Sequence, residues 1–453
     1  MNSLINKYNV PGPRYTSYPT VPLWDNSTFN EKEWIDSIQT TFELTNGDLG
    51  ISLYIHLPYC ESLCTFCGCH KRITKNHAVE KPYILAILKE WELYLSFFSV
   101  KPTISEIHLG GGTPSFFSPD MLELLVNGIV KRSKINLIHE FGFEGHPNNT
   151  TREHLQSLYD YGFKRVSFGV QDYDPIVQKA INRIQPFENV KRVTNWSREI
   201  GYQSVSHDLI YGLPFQKLSS IEETIHKTIE LQPDRLAFYS YAHVPWLKGN
   251  GQRGFKDENL PTAFEKRDLY EFGKGLLSEN NYYEIGMDHF ALKTDSLYKA
   301  MNNGTLNRNF MGYTTTQTKL VLGLGASAIS DSWTGFTQNI KDIDCYINCL
   351  KNSELPIMKG HILDNEDLIM RQHILNIICK FTTTWQDSDF SFEEKMELMK
   401  KLEDFEKDGL IEYDANSLHI KQGGQPFVRN ICMAFDKRML AQKQEKNLFS
   451  QTI

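Results

Sequence analysis

What most constrains the chain is a rhythm: short, largely apolar segments alternate with amphipathic helical patterns between residues 51 and 279. The strand patterns are Ile51–Leu57, Ile104–Leu109, Glu140–Phe143, Arg165–Gly169, Ser204–Ile210 and Arg235–Tyr241. Helical patterns separate and follow them: Val79–Leu95, Pro119–Lys131, Thr151–Tyr161, Phe187–Ile200, Ser220–Leu231 and Ala263–Glu279. Such alternation sets the strands parallel and covers the sheet with helices. Six units fall short of a closed eight-stranded barrel, so an α/β fold is expected, a partial, open β/α barrel of about six parallel strand–helix units. A polar N-terminal arm, residues 1–48, precedes the barrel at 49–355, and a smaller, mainly helical domain, 356–453, follows. In that domain Leu368–Phe381 and Phe392–Asp408 are expected as helices, and Leu410–Tyr413 with Ser417–Ile420 as a hairpin, an order resembling a small winged module. From Glu393 to Asp408, however, acidic residues outnumber basic ones seven to four, which suits a lid or packing domain better than DNA binding.

Each strand pattern runs into polar or small residues at its C-terminal end. The first meets the cysteines at 60–69, the second Gly110–Pro114, the third Glu144, the fourth Gln171 and Asp172, the fifth Asp208 and Tyr211, and the sixth Tyr239 and Tyr241. Barrel enzymes assemble their sites at that face. The formal net charge of -7 offers no excess of cations for phosphate neutralisation, so nucleic acid is not an expected partner. No apolar run is long enough to span a bilayer, and Met1–Lys7 lacks the apolar core of a secretory signal. A cytoplasmic monomer with no membrane partner is expected.

Four of the eight cysteines crowd into ten residues, while Cys345, Cys349, Cys379 and Cys432 are scattered and expected to pack as small apolar groups. The cluster reads Cys60-x3-Cys64-x2-Cys67. A four-iron cube normally takes one thiolate per iron, so three ligands on one loop leave the fourth iron open. An open iron can chelate the amino and carboxylate groups of S-adenosylmethionine, and an electron passed to the sulfonium releases a deoxyadenosyl radical. Breaking that bond demands the low end of a potential range of roughly −700 to +450 mV. The rival is a structural zinc site on Cys60, Cys64, Cys67 and Cys69, but zinc folds usually set two ligand pairs on separate knuckles. Only Gly68 separates Cys69 from Cys67, so Cys69 would have to fold sharply back to share the cube.

The turn Gly110–Thr113 lets backbone approach a ligand closely, and no Gly-Lys-Ser or Gly-Lys-Thr follows to make it a phosphate loop. Glu144 and Asp208 are candidate acceptors for an amino group and for ribose hydroxyls, and Arg183 can pair a carboxylate in two-pronged fashion. Ordinary ion pairing at the barrel rim is the alternative for each.

Tyr54-Ile55-His56-Leu57-Pro58-Tyr59-Cys60 and Phe66-Cys67-Gly68-Cys69 resemble the oxygen-independent coproporphyrinogen III oxidases of haem biosynthesis, in the radical S-adenosylmethionine superfamily. So do Gly12–Thr20, Gly169–Asp172, Asp208–Pro214, Tyr241–His243, Gly286–Ala291 and Arg429–Met433. The resemblance implies anaerobic oxidative decarboxylation of two propionates of coproporphyrinogen III to vinyl groups, giving protoporphyrinogen IX. It also implies an electron-donating reductant, an electron acceptor, a [4Fe–4S] cluster on Cys60, Cys64 and Cys67, and two S-adenosylmethionine molecules. Tyr54, Gly111, Glu144 and Ile329 would contact the first of these, and Phe66, Gly112, Thr113, Gln171, Arg183, Asp208 and Ala242 the second. Cys69 and Glu144 would serve catalysis, with Arg14, Arg308 and Arg429 as candidate partners for the substrate's four propionates. Related haem chaperones share the barrel and cluster motif but lack the long arm, Cys69 and the segment Asn309–Thr315. Two positions depart from the pattern. Met311 stands where the family segment usually has Gln, which removes any polar role there, and Gly145-His146-Pro147 follows Glu144, a change expected to alter only the local turn.

Overall fold

The computed structural model describes residues 2–246, 251–252, 254–441 and 448–452. Six parallel strands lie side by side in chain order: β1 Ile51–Leu57, β2 Thr103–Gly111, β3 Lys134–Gly145, β4 Phe163–Gln171, β5 Ser204–Tyr211 and β6 Arg235–Ser240. The sheet continues past both ends of that run. Beyond β6 come β7 Tyr283–Ile285 and β8 His289–Ala291, antiparallel, with β8 against β6. On the other side β9 Val321–Leu324 lies parallel to β1, followed by antiparallel β10 Ile329–Asp331, β11 Gly335–Asn339 and β12 Ile357–Ile362. The result is one open sheet of twelve strands, β12-β11-β10-β9-β1-β2-β3-β4-β5-β6-β8-β7. β12 carries this sheet past the boundary expected at residue 355.

The central strands are two-faced rather than largely apolar. Leu53, Ile55, Ile107, Leu109, Phe141, Phe143, Val166 and Phe168 enter one buried core. The helices Glu80–Leu95 and Pro119–Val130 feed the same core through Tyr83, Trp91, Leu122 and Leu125, all fully buried. A large side chain removed from water in this way contributes about 1.5–3 kcal/mol. Because side chains alternate along a strand, the intervening positions share the opposite face. In register there, Ser52 meets Glu106, Glu106 meets Glu140, Glu144 meets Ser167, and Gly169 meets Asp208.

At the deep end of that polar face the charges are paired. Ser52 Oγ donates to Glu106 at 2.7 Å, as do Thr314 at 3.1 Å and Thr316 at 2.9 Å. Thr315 donates to Glu140 at 2.6 Å, Arg165 pairs with Glu140, and Arg235 Nε reaches both oxygens of Asp295 at 2.6 and 2.7 Å. The three threonines end and follow a small hairpin, Asn307–Asn309 with Gly312–Thr314, which plugs the barrel from below.

A second core joins Tyr8, Tyr15 and Tyr18 of the arm to Met370, Ile377, Leu402 and Ile431. Its helices Asn365–Lys380 and Phe392–Lys407 match the expected ones, and the expected hairpin gains a third strand, Thr382–Thr384. Of the scattered cysteines, Cys379 and Cys432 are buried, but Cys345 is exposed and Cys349 half-buried. Both lie on the rim helix Ile343–Lys351, whose apolar face is filled by Ile343, Tyr346 and Leu350. Among the described residues no helix is long and apolar enough to cross a membrane.

Arg429 is spent on this frame. Its buried guanidinium donates to the carbonyls of Pro13 at 2.9 Å, Gln451 at 3.1 Å and Thr452 at 3.2 Å, and also to Gly12. All three nitrogens are engaged with backbone and four of the five N–H donors are used, so no two-pronged grip remains for a substrate carboxylate. Arg429→Met strands these carbonyls and is expected to cost about 3 kcal/mol or more, read as a lower denaturation midpoint. An unchanged midpoint with a raised KM would instead return Arg429 to the substrate.

Candidate active site

The cysteine loop begins where β1 ends and has almost no regular structure of its own. A two-residue parallel bridge, Tyr59–Cys60 with Arg72–Ile73, closes its base. On one side it leans on residues 180–182: Thr65 N and Oγ1 donate to the carbonyls of Ile181 at 2.9 Å and Ala180 at 3.0 Å, and Asn182 donates to Leu63 O at 2.8 Å. On the other side Thr113 of the glycine turn lies 3.2 Å from Cys60 Sγ. Gln252 ties loop to barrel, donating to the carbonyls of Phe66 at 3.1 Å and Ala242 at 2.9 Å. Phe66 itself packs against the cluster of Val177, Ile181, Ile210, Leu213 and Tyr241.

Cys60, Cys64 and Cys67 are free and half-buried, and Cys69 is free and exposed. Arg183 Nη1 stands 3.7 Å from Cys64 Sγ while its Nη2 donates to Gly169 O at 2.6 Å. Lys71 donates to Cys67 O at 3.0 Å. Burial pushes the Cys60 thiol up to about 11, against the pull of Lys71 and of its contact with Thr113, so its thiolate needs the charge of a bound metal. A hydrogen bond from Cys69 draws the Cys67 thiol down to about 6, and the same contact pushes Cys69 up. Among the described residues no three His, Cys, Asp or Glu side chains converge as they would around a single ion. A four-iron cube takes each thiolate on a different iron. The three thiols and their cationic surroundings fit the cube.

Gly111 and Gly112 explain the glycine turn. Gly111 has φ +117°, and a side chain at Gly112 would start 2.7 Å from the carbonyl of Pro58. Only bare backbone passes that close to the cysteine loop. Beside it Glu144 accepts from Gly111 N at 3.3 Å and from His108 Nε2 at 3.1 Å, yet keeps 45% of its side chain exposed, so the carboxylate still faces the cavity. Tyr54 and His56 project from β1 on the same face, the phenol 3.0 Å from His56 Nδ1. Burial holds His56 near 4, hence neutral. Ile329 starts β10, next to β9, whose Gly323 is in register with Tyr54.

Deeper in the same cavity stand Ser167, Asp208, Tyr239, His289, Met311 and Tyr313. Ser167 donates to Asp208 at 2.8 Å. Burial pushes Asp208 up to about 7, with the charge of Glu144 adding and that of Arg183 opposing. Gln171 ends β4 in the left-handed region, φ 69°, and Gln178 and Gln185 brace this turn through the carbonyls of Asp172 at 2.9 Å and Val170 at 3.3 Å. Asp172 is a strut: it accepts from Gln216 at 2.6 Å and Thr224 at 3.1 Å and does not reach the cavity. His146 accepts from Asn148 N at 3.1 Å and caps its own turn.

Of the expected cofactor residues, Glu144 and Asp208 line this one cavity, whereas the three arginines part company. Arg14 donates to Ser240 O at 2.7 Å at the foot of the arm, Arg429 is consumed by backbone, and Arg308 lies over the Tyr313 ring at 4.5 Å. Sequence reasoning missed His108, Ser167 and His289. His108 and Ser167 share strand parity with Glu144 and Asp208, and that signal was available.

The cysteine loop and the barrel define a radical S-adenosylmethionine protein, and residues 54–228 match the model of the radical SAM superfamily. Relatives extend over the whole chain. "Oxygen-independent coproporphyrinogen III oxidase" of Pseudomonas aeruginosa is 36% identical, covering 99% of this chain and 98% of its own. That of Helicobacter pylori is 37% identical, covering 95% of each. The solved structure of the Escherichia coli enzyme, described as a radical SAM enzyme, superposes with TM-score 0.88 at 34% identity, covering 96% of this chain and 98% of that one. The chain belongs to the oxygen-independent coproporphyrinogen III oxidase family.

Two outcomes are expected. Cys60→Ser, Cys64→Ser and Cys67→Ser each lose the iron and sulfide that anaerobically purified protein carries, whereas Cys69→Ser keeps them; equal loss in all four would end the open-iron reading. Separately, folding holds a proton on Asp208 between its ordinary 3.8 and about 7. The folded state binds more protons there than the unfolded chain, so this group favours folding fully below about pH 4 and loses that effect as pH rises through 7. Asp208→Asn is expected to flatten the fall in denaturation midpoint over that range and to exceed wild type at about pH 8.

Proposed function

We propose that this chain converts coproporphyrinogen III to protoporphyrinogen IX in haem biosynthesis, by anaerobic oxidative decarboxylation in the cytoplasm and as a monomer. Cys60, Cys64 and Cys67 would hold a [4Fe–4S] cluster, and the cavity above them two S-adenosylmethionine molecules. The observation that carries the reading is Glu144, poised between Gly111 N and His108 with its carboxylate still open to the cavity, beside three thiols on the next loop. When bound, cluster and S-adenosylmethionine supply a carbon radical that removes a hydrogen atom from the carbon beta to a propionate carboxylate. Loss of carbon dioxide, and of one electron to an acceptor, then leaves a vinyl group. A low-potential reductant would supply the electron that this chemistry consumes.

The chain's own part is positioning. Glu144 accepts the amino group of the first S-adenosylmethionine, with Tyr54, Gly111 and Ile329 along its flank. Asp208 accepts ribose hydroxyls of the second, Arg183 takes its carboxylate, and Phe66, Gly112, Thr113, Gln171 and Ala242 shape its pocket. Cys69, exposed beside the cluster loop, acts on the substrate or the second cofactor rather than on iron. The arm, residues 1–48, and the C-terminal region, 356–453, close over the substrate and keep water out. Met311 lines the cavity with a thioether, which cannot donate a hydrogen bond as an amide does, so positioning rests on its polar neighbours.

Anaerobic turnover with coproporphyrinogen III, S-adenosylmethionine and a low-potential reductant is expected to give protoporphyrinogen IX and about two deoxyadenosines per product. Tight haem binding without loss of propionate would overturn this in favour of a chaperone.

A further inference from the structure

Next to the reaction cavity, a second cleft opens under residues 15–18 of the arm, and its charges do not balance. Arg308, Lys319, Arg371 and Asp331 line it. Arg371 is satisfied: its guanidinium grips Asp331 with two parallel bonds, 3.0 and 2.6 Å. Arg308 is not. Its Nε and Nη1 are buried and have no hydrogen-bond partner, although a buried guanidinium without an acceptor is costly. Lys319 holds its ammonium 3.4 Å from the Trp333 ring centroid, while Arg371 lies 4.2 Å from the same ring. Neither ion pair nor hydrogen bond is found for Lys319 among the described residues. Trp333 sits between these cations at φ 68°, a left-handed backbone that a bulky residue adopts only under constraint. One carboxylate thus faces three cations, and two of the three have no carboxylate partner among the described residues.

Arg308 also connects this cleft with the chemistry. It lies over Tyr313, which lines the reaction cavity, and its charge reaches His289 and Tyr239 of that cavity. A ligand in the cavity that extended a carboxylate past Tyr313 would meet Arg308 first and Lys319 beyond it. We propose that Arg308 and Lys319 form a subsite for a carboxylate arm of the substrate that does not react, fixing which propionates remain near the radical source. This rests on the function proposed above. Arg308 supplies the two-pronged contact that a planar guanidinium makes with a carboxylate, and Lys319 a point charge behind it. Binding there would relieve the stranded donors of Arg308 and pair its charge, a gain that a carboxylate supplies in one group.

The test is equilibrium binding of coproporphyrin III, the stable oxidised tetracarboxylate, by Soret-band titration of anaerobically purified full-length protein. Lys319→Gln and Arg308→Gln are each expected to weaken binding about tenfold or more, the worth of one charge-assisted contact. Porphyrin tetramethyl ester should bind weakly and alike to wild type and variants. Binding of S-adenosylhomocysteine should not change, which separates a substrate arm from the cofactor's carboxylate. In turnover, KM should rise while kcat holds, as for an interaction kept throughout the reaction. Lys359→Gln serves as control, since Lys359 is likewise half-buried over a tryptophan, 5.2 Å from the Trp24 ring, but lies outside the cleft. If Arg308→Gln fails to fold, Lys319→Gln decides alone. Wild-type affinity in Lys319→Gln, or a matching loss of S-adenosylhomocysteine binding, would overturn the subsite while leaving the proposed reaction standing. Wild-type protein that neither bound nor consumed the porphyrin would overturn both.

Discussion

A charge taken out of water must find a partner, and the barrel is organised around that requirement. Its central strands turn Glu106, Glu140, Arg165 and Arg235 toward one another rather than toward solvent. Left alone, such a set would hold the sheet open or draw water in, because desolvation costs several kcal/mol per ion. Thr314, Thr315 and Thr316 supply the missing hydrogen bonds. The plug is therefore a condition for having a polar interior at all, and it leaves the upper half of the same face free for ligands. One alternation along the strands gives a hydrocarbon core on one side and a graded column on the other, ion-paired below and reactive above.

The parallel strands were legible because each is a local event: a few apolar residues at period two, bounded by turn formers. The cysteine and glycine loops were legible for the same reason, their donors being close in sequence. β7 to β12 were not. β7, β8 and β10 have three residues each, too short for a periodic signal, and exist because neighbouring strands offer unpaired edges. Thr382–Thr384 was hidden likewise, paired only by contact with residues 417–419.

The arginines show the limit more sharply. Arg14, Arg308 and Arg429 look alike in sequence, each a cation inside a distinctive segment. Only geometry separates a guanidinium held at every nitrogen by carbonyls from one whose nitrogens are stranded. Hydrogen-bond satisfaction is a property of the folded neighbourhood, and no pattern within a dozen residues encodes it. His108 and Ser167 are an intermediate case, since strand parity points to them once Glu144 and Asp208 are known to face the site.

The clamp around Arg429 has a consequence in time. Residues 10–12 are held by residues 450–452: Val10 N donates to Thr452 Oγ1 at 3.2 Å across 442 positions, and Pro11 bridges Gln451. A ribosome adding about 5–20 residues per second separates the emergence of these partners by roughly 20 to 90 seconds. The parallel strands and their helices leave the tunnel in spatial order and can pair as they come. Residues 10–12, just before the segment that roofs the cleft, lack these partners until residues 450–452 emerge. While the intervening residues are made, the nascent protein thus has barrel strands paired and residues 10–12 unlatched, and the latch waits for residues 450–452.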